Sequence, residues 1–530
     1  MIRLFVLSLL LLVGCNASFS PKSGQIIRIN IGEDPQSIDP RKARGLPSET
    51  LVHMFFEGLM RSSKTGELEM ALAERVEVSS DGLQYRFYLR NSFWSNGEPV
   101  TAFDFAESWR AILDPGFPTD VASHLYGIKN GQKAKLGEVS VSQVGISTPD
   151  SQTLIVELER PIPYFLQLVS MSPFFPIPHK YAIRNPNWAF DPKTYICNGP
   201  FKLQAWGRFD RIVAEKNPKY WQAKDVVLSR IDVFMIGDNA EIQMFERGDL
   251  DWAGSPLSTI PVAALRDLRF KEELHISPFS GTYFCRVNTA EILQDKKNPL
   301  HSPIFRKALA LALDRKAIAE HVLQGGQIPA NSLVPPQMGL SDKGYFQDNP
   351  VQARSALVDA LLKLDMTLDK LEPIRLSFPN ADRNMVVAQA VQKQWETVLG
   401  VRVELEALAT KSYFQRVSRK EFQMAIGSWT ADFNDPVNFL EVFKYKDKSA
   451  NNTNWESSRY VDLLNRSDQC SDSKERMAFL REAESVLMDQ MPIIPIVHYS
   501  LNYLKRGDLR DVVLSSLGKI DFRWAHLEEN

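Results

Sequence analysis

The hydrophobic pattern changes its period repeatedly in the last third of the chain, and this restricts the possible folds more than any other feature. Apolar residues recur every three or four positions from 385 to 399, which predicts an amphipathic helix that Gly400 ends. Residues 401–405 then alternate between apolar and charged, as in a half-buried strand. A second helix at 413–417 and an apolar strand at 424–426 follow. This alternation of helices and strands predicts an α/β fold.

The same mixture of elements continues elsewhere in the chain. The pattern predicts strands at 27–31, 84–89, 153–158 and 231–236, and helices at 240–247 and 304–322. A chain of 530 residues is too long for one compact core, so we expect two or three sub-domains. The 62 basic and 64 acidic side chains leave a net charge of −2, which gives no long-range attraction for nucleic acid.

The amino terminus has the pattern of an export signal. A basic start precedes ten mostly apolar residues at 4–13, a run too short to cross the hydrocarbon layer of a membrane. The following residues, LVGC at 12–15, resemble a bacterial lipobox. We therefore predict a lipoprotein signal peptide at 1–14, a lipid on Cys15, and an anchor and tether at 15–25. A plain secretory signal, with Cys15 present by chance, is the alternative.

A search for catalytic and metal-binding motifs finds none. No two of the eight histidines have the spacing of a metal pair, and the sequence has no CxxC, GxSxG or Walker motif. We therefore predict neither enzymatic activity nor a cofactor or metal ion. The body of the exported chain contains three cysteines, Cys197, Cys285 and Cys470, so at least one thiol has no partner within the chain.

Several short segments together carry a family resemblance. In chain order they read DPQSIDP at 34–40, FEGL at 56–59, YRFYLR at 85–90, FWSNGEPVTAFDF at 93–105, NGPF at 198–201, NPKYW at 217–221, FRKAL at 305–309 with LDR at 313–315, and WTADFNDP at 429–436. Their sequences and order resemble the bacterial extracellular solute-binding proteins of family 5, the oligopeptide-binding lipoproteins of ABC importers. The segment at 93–105 has a simpler alternative, a strand, turn and helix start that only pack.

The resemblance implies a two-lobed fold that closes on its ligand about a hinge. The implied lobe I core comprises 26–56, 184–280 and 500–530, with an inserted sub-domain at 57–183. The implied lobe II is 281–499, so that the chain crosses between the lobes near Ser280 and near Tyr499.

The resemblance also implies how a peptide is held. Main-chain groups pair with the ligand as a strand would, which gives affinity with little regard to side chains. The residues implied for this are Gly427, Ser428, Trp429 and Thr430, faced across the cleft by Gly45 and Leu46. Asp432 is implied to bind the α-ammonium group of the peptide. The alternative for Asp432 is an acid of the turn, and Asp435 with Pro436 is interpreted as the cap and first residue of a helix.

Further side chains are candidates for supporting contacts. Trp429 is a candidate for packing on the ligand backbone, and Asn434 for orienting Asp432. Tyr283, His498 and Tyr499 lie where the crossovers are expected to line the cleft. Packing in the protein core is the alternative for Trp429 and for each of these last three.

The sequence departs from the family pattern at positions that affect specificity. Arg44 replaces an acidic residue of the first lobe, and Ile426 replaces the basic residue that helps to receive a peptide carboxylate. Arg416 and Arg419 are nearby in sequence, although solvated surface arginines are the simpler interpretation. A disulfide found in some members would require cysteines at Gly281 and Thr430, so we predict a hinge without this bridge.

These observations predict a monomeric lipoprotein on the periplasmic face of a bacterial membrane. The resemblance implies that it captures oligopeptides and delivers them to an ABC permease in the inner membrane, and the near-neutral charge predicts that it does not bind nucleic acid. One alternative keeps the fold but changes the ligand, to a nickel chelate, haem or a modified peptide, or makes the protein a sensor. Another is an exported hydrolase or a structural surface lipoprotein.

Overall fold

The computed structural model describes residues 24–341, 344–447, 450–470 and 472–528, with the main chain alone at 238 and 239. The predicted signal peptide at 1–14 and Cys15 lie outside the described residues, as does most of the predicted tether. Within the described ranges, no helix is both long and apolar enough to cross a membrane.

A mixed sheet of eleven strands runs through the molecule. In spatial order its strands are Val403–Leu408, Ile374–Pro379, Met424–Thr430, His275–Val287, Ile493–Lys505, Trp252–Gly254, Ile26–Asn30, Arg230–Phe234, Arg211–Lys216 and Phe201–Gly207, with Ile328–Pro329 pairing separately with Ile493–Lys505. The predicted α/β class is confirmed.

Two strands of thirteen residues each connect the halves of this sheet. We call His275–Val287 the first crossing strand and Ile493–Lys505 the second crossing strand. They pair antiparallel along most of their length, and the register shifts between Pro278 and Thr282. One end of the pair adjoins Trp252–Gly254, and the other adjoins Met424–Thr430, which we call the tryptophan strand. The exact lobe boundaries stay a prediction.

A smaller sheet and four hairpins lie outside the large sheet. The smaller sheet has the strand order Ala73–Val78, Gln84–Leu89, Thr153–Glu157 and Ile146–Ser147. The hairpins are Met60–Ser62 with Leu68–Met70, Ile292–Leu293 with Lys296–Lys297, Leu509–Arg510 with His526–Leu527, and Val513–Leu514 with Ile520–Asp521.

Helices cover the sheets and complete two large hydrophobic cores. The helices of five residues or more are Leu46–Phe55, Ala102–Leu113, Gly131–Lys135, His179–Arg184, Asp238–Glu246, Val262–Phe270, Pro303–Leu311, the π-helical turn Ile318–Leu323, Pro350–Lys363, Asp382–Leu399, Thr410–Ser418, Ser458–Gln469 and Ser473–Gln490. One core contains Trp109 and Trp252, and the other contains Phe305, Trp395 and Ile494.

The predicted helix at 304–322 is wrong as a single element. The chain forms Pro303–Leu311, and then begins a new helical turn because the carboxylate of Asp314 accepts a hydrogen bond from the main-chain N–H of Ala317 at 2.8 Å. Arg315 turns inward at this break and donates to the carbonyl oxygen of Pro495 at 2.8 Å. Apolar periodicity alone does not reveal this interruption.

Candidate ligand-binding cleft

A cavity of about 1330 Å³ lies between parts of the chain that are distant in sequence. Gly237, Ala240 and residues 259–263 form one wall. The opposite wall comes from the crossing strands, the tryptophan strand and the helices Asp382–Leu399 and Thr410–Ser418. This volume exceeds the ~300–1,000 Å³ typical of sites for drug-sized ligands. The cavity is therefore the candidate binding site, and we call it the cleft.

The tryptophan strand presents an unpaired edge at the cleft. Its other edge pairs with the first crossing strand along the whole length of the tryptophan strand. On the cleft side, Ile374–Pro379 pairs only with Met424 and Ala425, so that within the described chain no strand covers this edge from 426 to 430. Gly427, Ser428 and Trp429, all predicted as site residues, line the cleft here.

Asn438 fixes the end of the tryptophan strand, and no sequence motif indicates its role. Its side-chain oxygen accepts a hydrogen bond from the indole N–H of Trp429 at 2.9 Å, and a longer one from the main-chain N–H of Asp432 at 3.4 Å. Trp429 is half-buried. Asn438 thereby links the indole of Trp429 to the main chain of Asp432. Asn434, the predicted candidate for orienting Asp432, is exposed.

Two tyrosines of the crossing strands contribute to the same wall. Tyr283 is buried, and its hydroxyl donates to the side-chain oxygen of Asn384 at 2.6 Å. Tyr499 is half-buried and bonds to Ser428 of the tryptophan strand. The two rings are 5.9 Å apart between centroids. Both tyrosines line the cleft.

Asp432 is exposed beyond the end of the tryptophan strand, and charged groups of other segments face it. These groups are Glu49, His124 and Lys519. Burial raises the pKa of Glu49 to about 7, although its hydrogen bond to Ser172 and the charge of Lys519 oppose the rise. Burial lowers the pKa of Lys519, which the charges of Glu49 and Asp432 oppose. None of these three residues belongs to the lining of the cavity. They lie beyond the end of the tryptophan strand that borders it, and we call Asp432, Glu49 and Lys519 the acidic end of the cleft.

The sequence predicts Asp432 as a site residue, but it does not predict Glu49 or Lys519, which face it. Glu49 lies in the first turn of Leu46–Phe55, and Lys519 lies in the hairpin near the carboxyl terminus. More than 380 residues separate Glu49 from Asp432 in the sequence, and more than 80 separate Asp432 from Lys519. No local spacing pattern connects residues this far apart, so only the fold brings them together.

Other predicted residues lie outside the cleft lining. His498 is a core residue, 1% exposed, and its Nδ1 is 2.8 Å from the hydroxyl oxygen of Thr282. Burial lowers the pKa of His498 to about 3. Gly45 and Leu46 begin the helix that carries Glu49, and Leu46 is 37% exposed. Thr430 and Asn434 are exposed on the tryptophan strand and just after Asp432.

The arginines near the tryptophan strand in sequence do not replace the basic residue missing at Ile426. Arg416 pairs with Glu406 at 2.6 Å, and Arg419 is exposed. Arg44 pairs with Asp120 at 2.5 Å on the surface. The cleft lining instead contains Arg286 of the first crossing strand and Arg383 of Asp382–Leu399.

The three cysteines of the described chain are free. Cys197 and Cys285 are buried, and burial raises the pKa of each thiol to about 12. Gly281 and Thr430 are direct partners across the strand pair. These are the two positions at which a bridging disulfide would require cysteines.

Comparisons with other proteins agree with this architecture. Residues 67–451 match the family model of the bacterial extracellular solute-binding proteins, family 5. The oligopeptide-binding protein OppA of Bacillus subtilis is 38% identical over 96% of this chain and 93% of its own length. The probable deoxycholate-binding periplasmic protein YgiS of Escherichia coli is 31% identical over 92% of this chain and 90% of its own length.

A solved structure gives the same result for the fold. The crystal structure of Haemophilus influenzae OppA in complex with the peptide RPPGFSPFR matches with a TM-score of 0.78 and 26% identity, covering 96% of this chain and all of that one. The predicted two-lobed fold of the periplasmic binding proteins is confirmed, and so is the family resemblance. The chain belongs to the bacterial extracellular solute-binding proteins of family 5.

Proposed function

We propose that the chain captures oligopeptides in the cleft and delivers them to an ABC permease, and that it carries out no chemistry on them. The unpaired edge of the tryptophan strand is the observation that carries this proposal. An extended peptide can add to such an edge as a further strand, because its amides and carbonyls pair with those of the protein. Recognition of this kind requires no particular peptide side chain.

Asp432 would determine the orientation of a peptide that binds at this edge. A carboxylate at one end of the tryptophan strand favours a ligand whose α-ammonium group lies at that end. Every free peptide has this group unless it is blocked, whereas the interior of a protein chain has none. Trp429, Ser428 and Tyr499 would then form the wall along which the peptide backbone lies.

The proposal includes the predicted location. A lipid on Cys15 would hold the protein at the periplasmic face of a membrane, and the tether would leave the cleft free to meet the permease. The match to the extracellular solute-binding family supports a location outside the cytoplasm. The lipid rests on the sequence pattern at 12–15.

Native mass spectrometry of the purified protein, before and after mild unfolding, tests the ligand class. We expect mass shifts that correspond to a mixture of short peptides and that disappear on unfolding. The length distribution of the released peptides would show how much of the cleft they fill. A single non-peptide mass in the folded protein would contradict the proposal.

A non-peptide carboxylate is the second candidate ligand. One relative is named as a probable deoxycholate-binding protein, and the cleft of the present chain combines aromatic side chains with two arginines. Under this alternative the protein would bind an amphipathic acid such as deoxycholate, and short peptides would not compete with it. Competition between the two in one titration separates the candidates.

A further inference from the structure

Arg286 lies at the cleft but has no role in the function described so far. It belongs to the first crossing strand, which pairs with the covered edge of the tryptophan strand, and it stands opposite Ala425 in this strand pair. It is 8% exposed and lines the cleft. A guanidinium group keeps its charge in proteins, so this is a buried permanent cation at the wall of the binding site.

No carboxylate compensates this charge in the described chain. Arg286 forms no ion pair there, and its Nε has no hydrogen-bond partner. The group that it does bond to is the hydroxyl of Tyr413, a neutral acceptor, and the ring of Phe284 lies 5.3 Å from the guanidinium carbon. Burial of the guanidinium lowers its pKa, and no acid lies close enough to oppose this.

Other buried arginines of the chain bond to carboxylates or to several main-chain carbonyl oxygens, unlike Arg286. Arg476 makes two hydrogen bonds of 2.8 Å to Asp435, and Arg523 pairs with Glu57 at 2.5 Å. Arg41 pairs with Asp39, Arg315 with Asp348, and Arg306 donates to three main-chain carbonyls. Buried charges are normally paired in this way. Arg286 differs because it has no carboxylate partner in the described chain and lines the cleft.

The neighbouring glycine provides the space for this group. A Cβ atom at Gly427 would lie 2.8 Å from a terminal nitrogen of Arg286, which is closer than such atoms approach in proteins. The main chain of Gly427 does not have a positive φ angle, so the glycine is required here for space and not for conformation. The absence of a side chain at Gly427 therefore leaves room for the guanidinium of Arg286 beside the tryptophan strand.

Two other charged residues line the cleft. Arg383 is half-buried, 6.0 Å from the ring centroid of Tyr499, and Asp382 is exposed at the start of the same helix. Asp382 does not contribute to the electrostatics of Arg286. Arg383 is more accessible to water, so its charge is the more screened of the two.

We propose that Arg286, with the hydroxyl of Tyr413, forms an anion subsite that binds a carboxylate of the ligand. This inference rests on the proposed function and adds a specificity to it. Gly427 and Asp432 are five positions apart in the chain, a rise of roughly 16 Å in an extended strand. A peptide of about three to five residues, with its ammonium group at Asp432, would place a carboxylate at Arg286. The carboxylate is either the carboxyl terminus or an acidic side chain.

Three matched pentapeptides with free amino termini distinguish these sources. The first is neutral in its side chains with a free carboxyl terminus, the second is its carboxyl-terminal amide, and the third is the amide with glutamate as the last residue. We expect isothermal titration calorimetry to show the second binding at least tenfold more weakly than the first. Recovery of affinity by the third would assign the subsite to acidic side chains as well. Equal affinity for all three would overturn the proposal.

Arg286→Met is the variant that tests the residue. It should bind the amide as the wild type does and lose the preference for a carboxylate, while Arg383→Gln should keep that preference. Removal of a buried unpaired charge should not prevent folding, and we expect an unchanged or higher Tm for Arg286→Met. A variant that keeps the full preference would overturn the proposal.

If none of the three peptides binds the wild type, the proposed peptide function fails, and deoxycholate becomes the probe for the subsite. Binding of deoxycholate that Arg286→Met weakens at least tenfold would uphold the subsite without the peptide function. Deoxycholate binding that is absent, or equal in both proteins, would overturn the subsite as well.

Discussion

The two ends of the proposed peptide site place their charged groups in opposite surroundings. At the acidic end, Asp432 is exposed and already faces a cation of the protein, Lys519. At the other end, Arg286 is buried and faces no acid in the described chain. In the proposed peptide site a ligand ammonium would compete with water and with Lys519, whereas a ligand carboxylate would meet a desolvated cation that has no charged partner in the described chain. The ammonium end of the proposed site is therefore less prepared for its ligand group than the carboxylate end.

The largest expected effect is at Asp432. Closure of the lobes on a peptide would bury the pair between its carboxylate and the ligand ammonium, and loss of one member of a buried pair costs about 3–5 kcal/mol. Because Asp432 is exposed before closure, we expect Asp432→Ala to weaken binding by about 100-fold, near the lower limit of this range. Isothermal titration calorimetry with an unblocked pentapeptide measures the change.

Two controls test whether the effect of Asp432→Ala depends on the ammonium group of the peptide. An amino-terminally acetylated peptide should bind the wild type and Asp432→Ala with similar, low affinity, because it carries no ammonium group. Asn434→Ala changes an exposed neighbour and should bind unblocked peptides as the wild type does. If Asp432→Ala keeps wild-type affinity, the carboxylate is only a turn acid, the alternative interpretation of the sequence.

An intermediate effect is expected from Gly427→Ala at the other end. The added methyl group would displace the guanidinium of Arg286, whose flexible end can move, so that folding should be little affected. We expect the preference for a free carboxyl terminus over its amide to fall by about tenfold, or about 1.4 kcal/mol. The ratio of the two affinities measures this.

Gly237→Ala is the matched control for this variant. Gly237 lines the opposite wall of the cleft, and a Cβ atom there would meet nothing within 4 Å. Both substitutions add one methyl group to the cavity, but only that at Gly427 touches Arg286. An equal loss of preference in the two variants would mean that cavity volume, and not the position of the guanidinium, determines carboxylate binding.

The sequence predicts features that arise within one segment better than features that depend on contacts between distant segments. The helix Asp382–Leu399 and its end at Gly400 follow from a repeating pattern within one segment, and the cleft residues of the tryptophan strand follow from a family motif. Glu49, Asn438, Lys519 and Arg286 could not be found in this way. Each acts through a partner that sheet pairing or hairpin folding brings from elsewhere, and a buried arginine has no sequence signature before its surroundings are known.

The smallest expected effect is a change with pH in the affinity for the peptide ammonium. We expect it to arise at the acidic end alone. Because the pKa of Glu49 is raised to about 7, this carboxyl gains its charge as the pH rises from 6 to 7.5, while the peptide ammonium keeps its proton up to about pH 8. The added negative charge faces the site of the ammonium, so unblocked peptides should bind about threefold more tightly at pH 7.5 than at pH 6. Calorimetry at several pH values measures this change.

Ionisation of Glu49 should have the opposite effect on stability: it should lower the free energy of unfolding, although it tightens binding. A raised carboxyl pKa gives stability that is fully present below the unfolded value of about 4.5 and is lost as the pH rises through about 7. Glu49→Gln should therefore remove both the tightening of binding and this part of the loss of stability. The preference for a carboxylate at Arg286 should be constant over the same range, because a guanidinium does not titrate there. A tightening that persists in Glu49→Gln would assign the effect to another group and would remove the contrast between the two ends of the cleft.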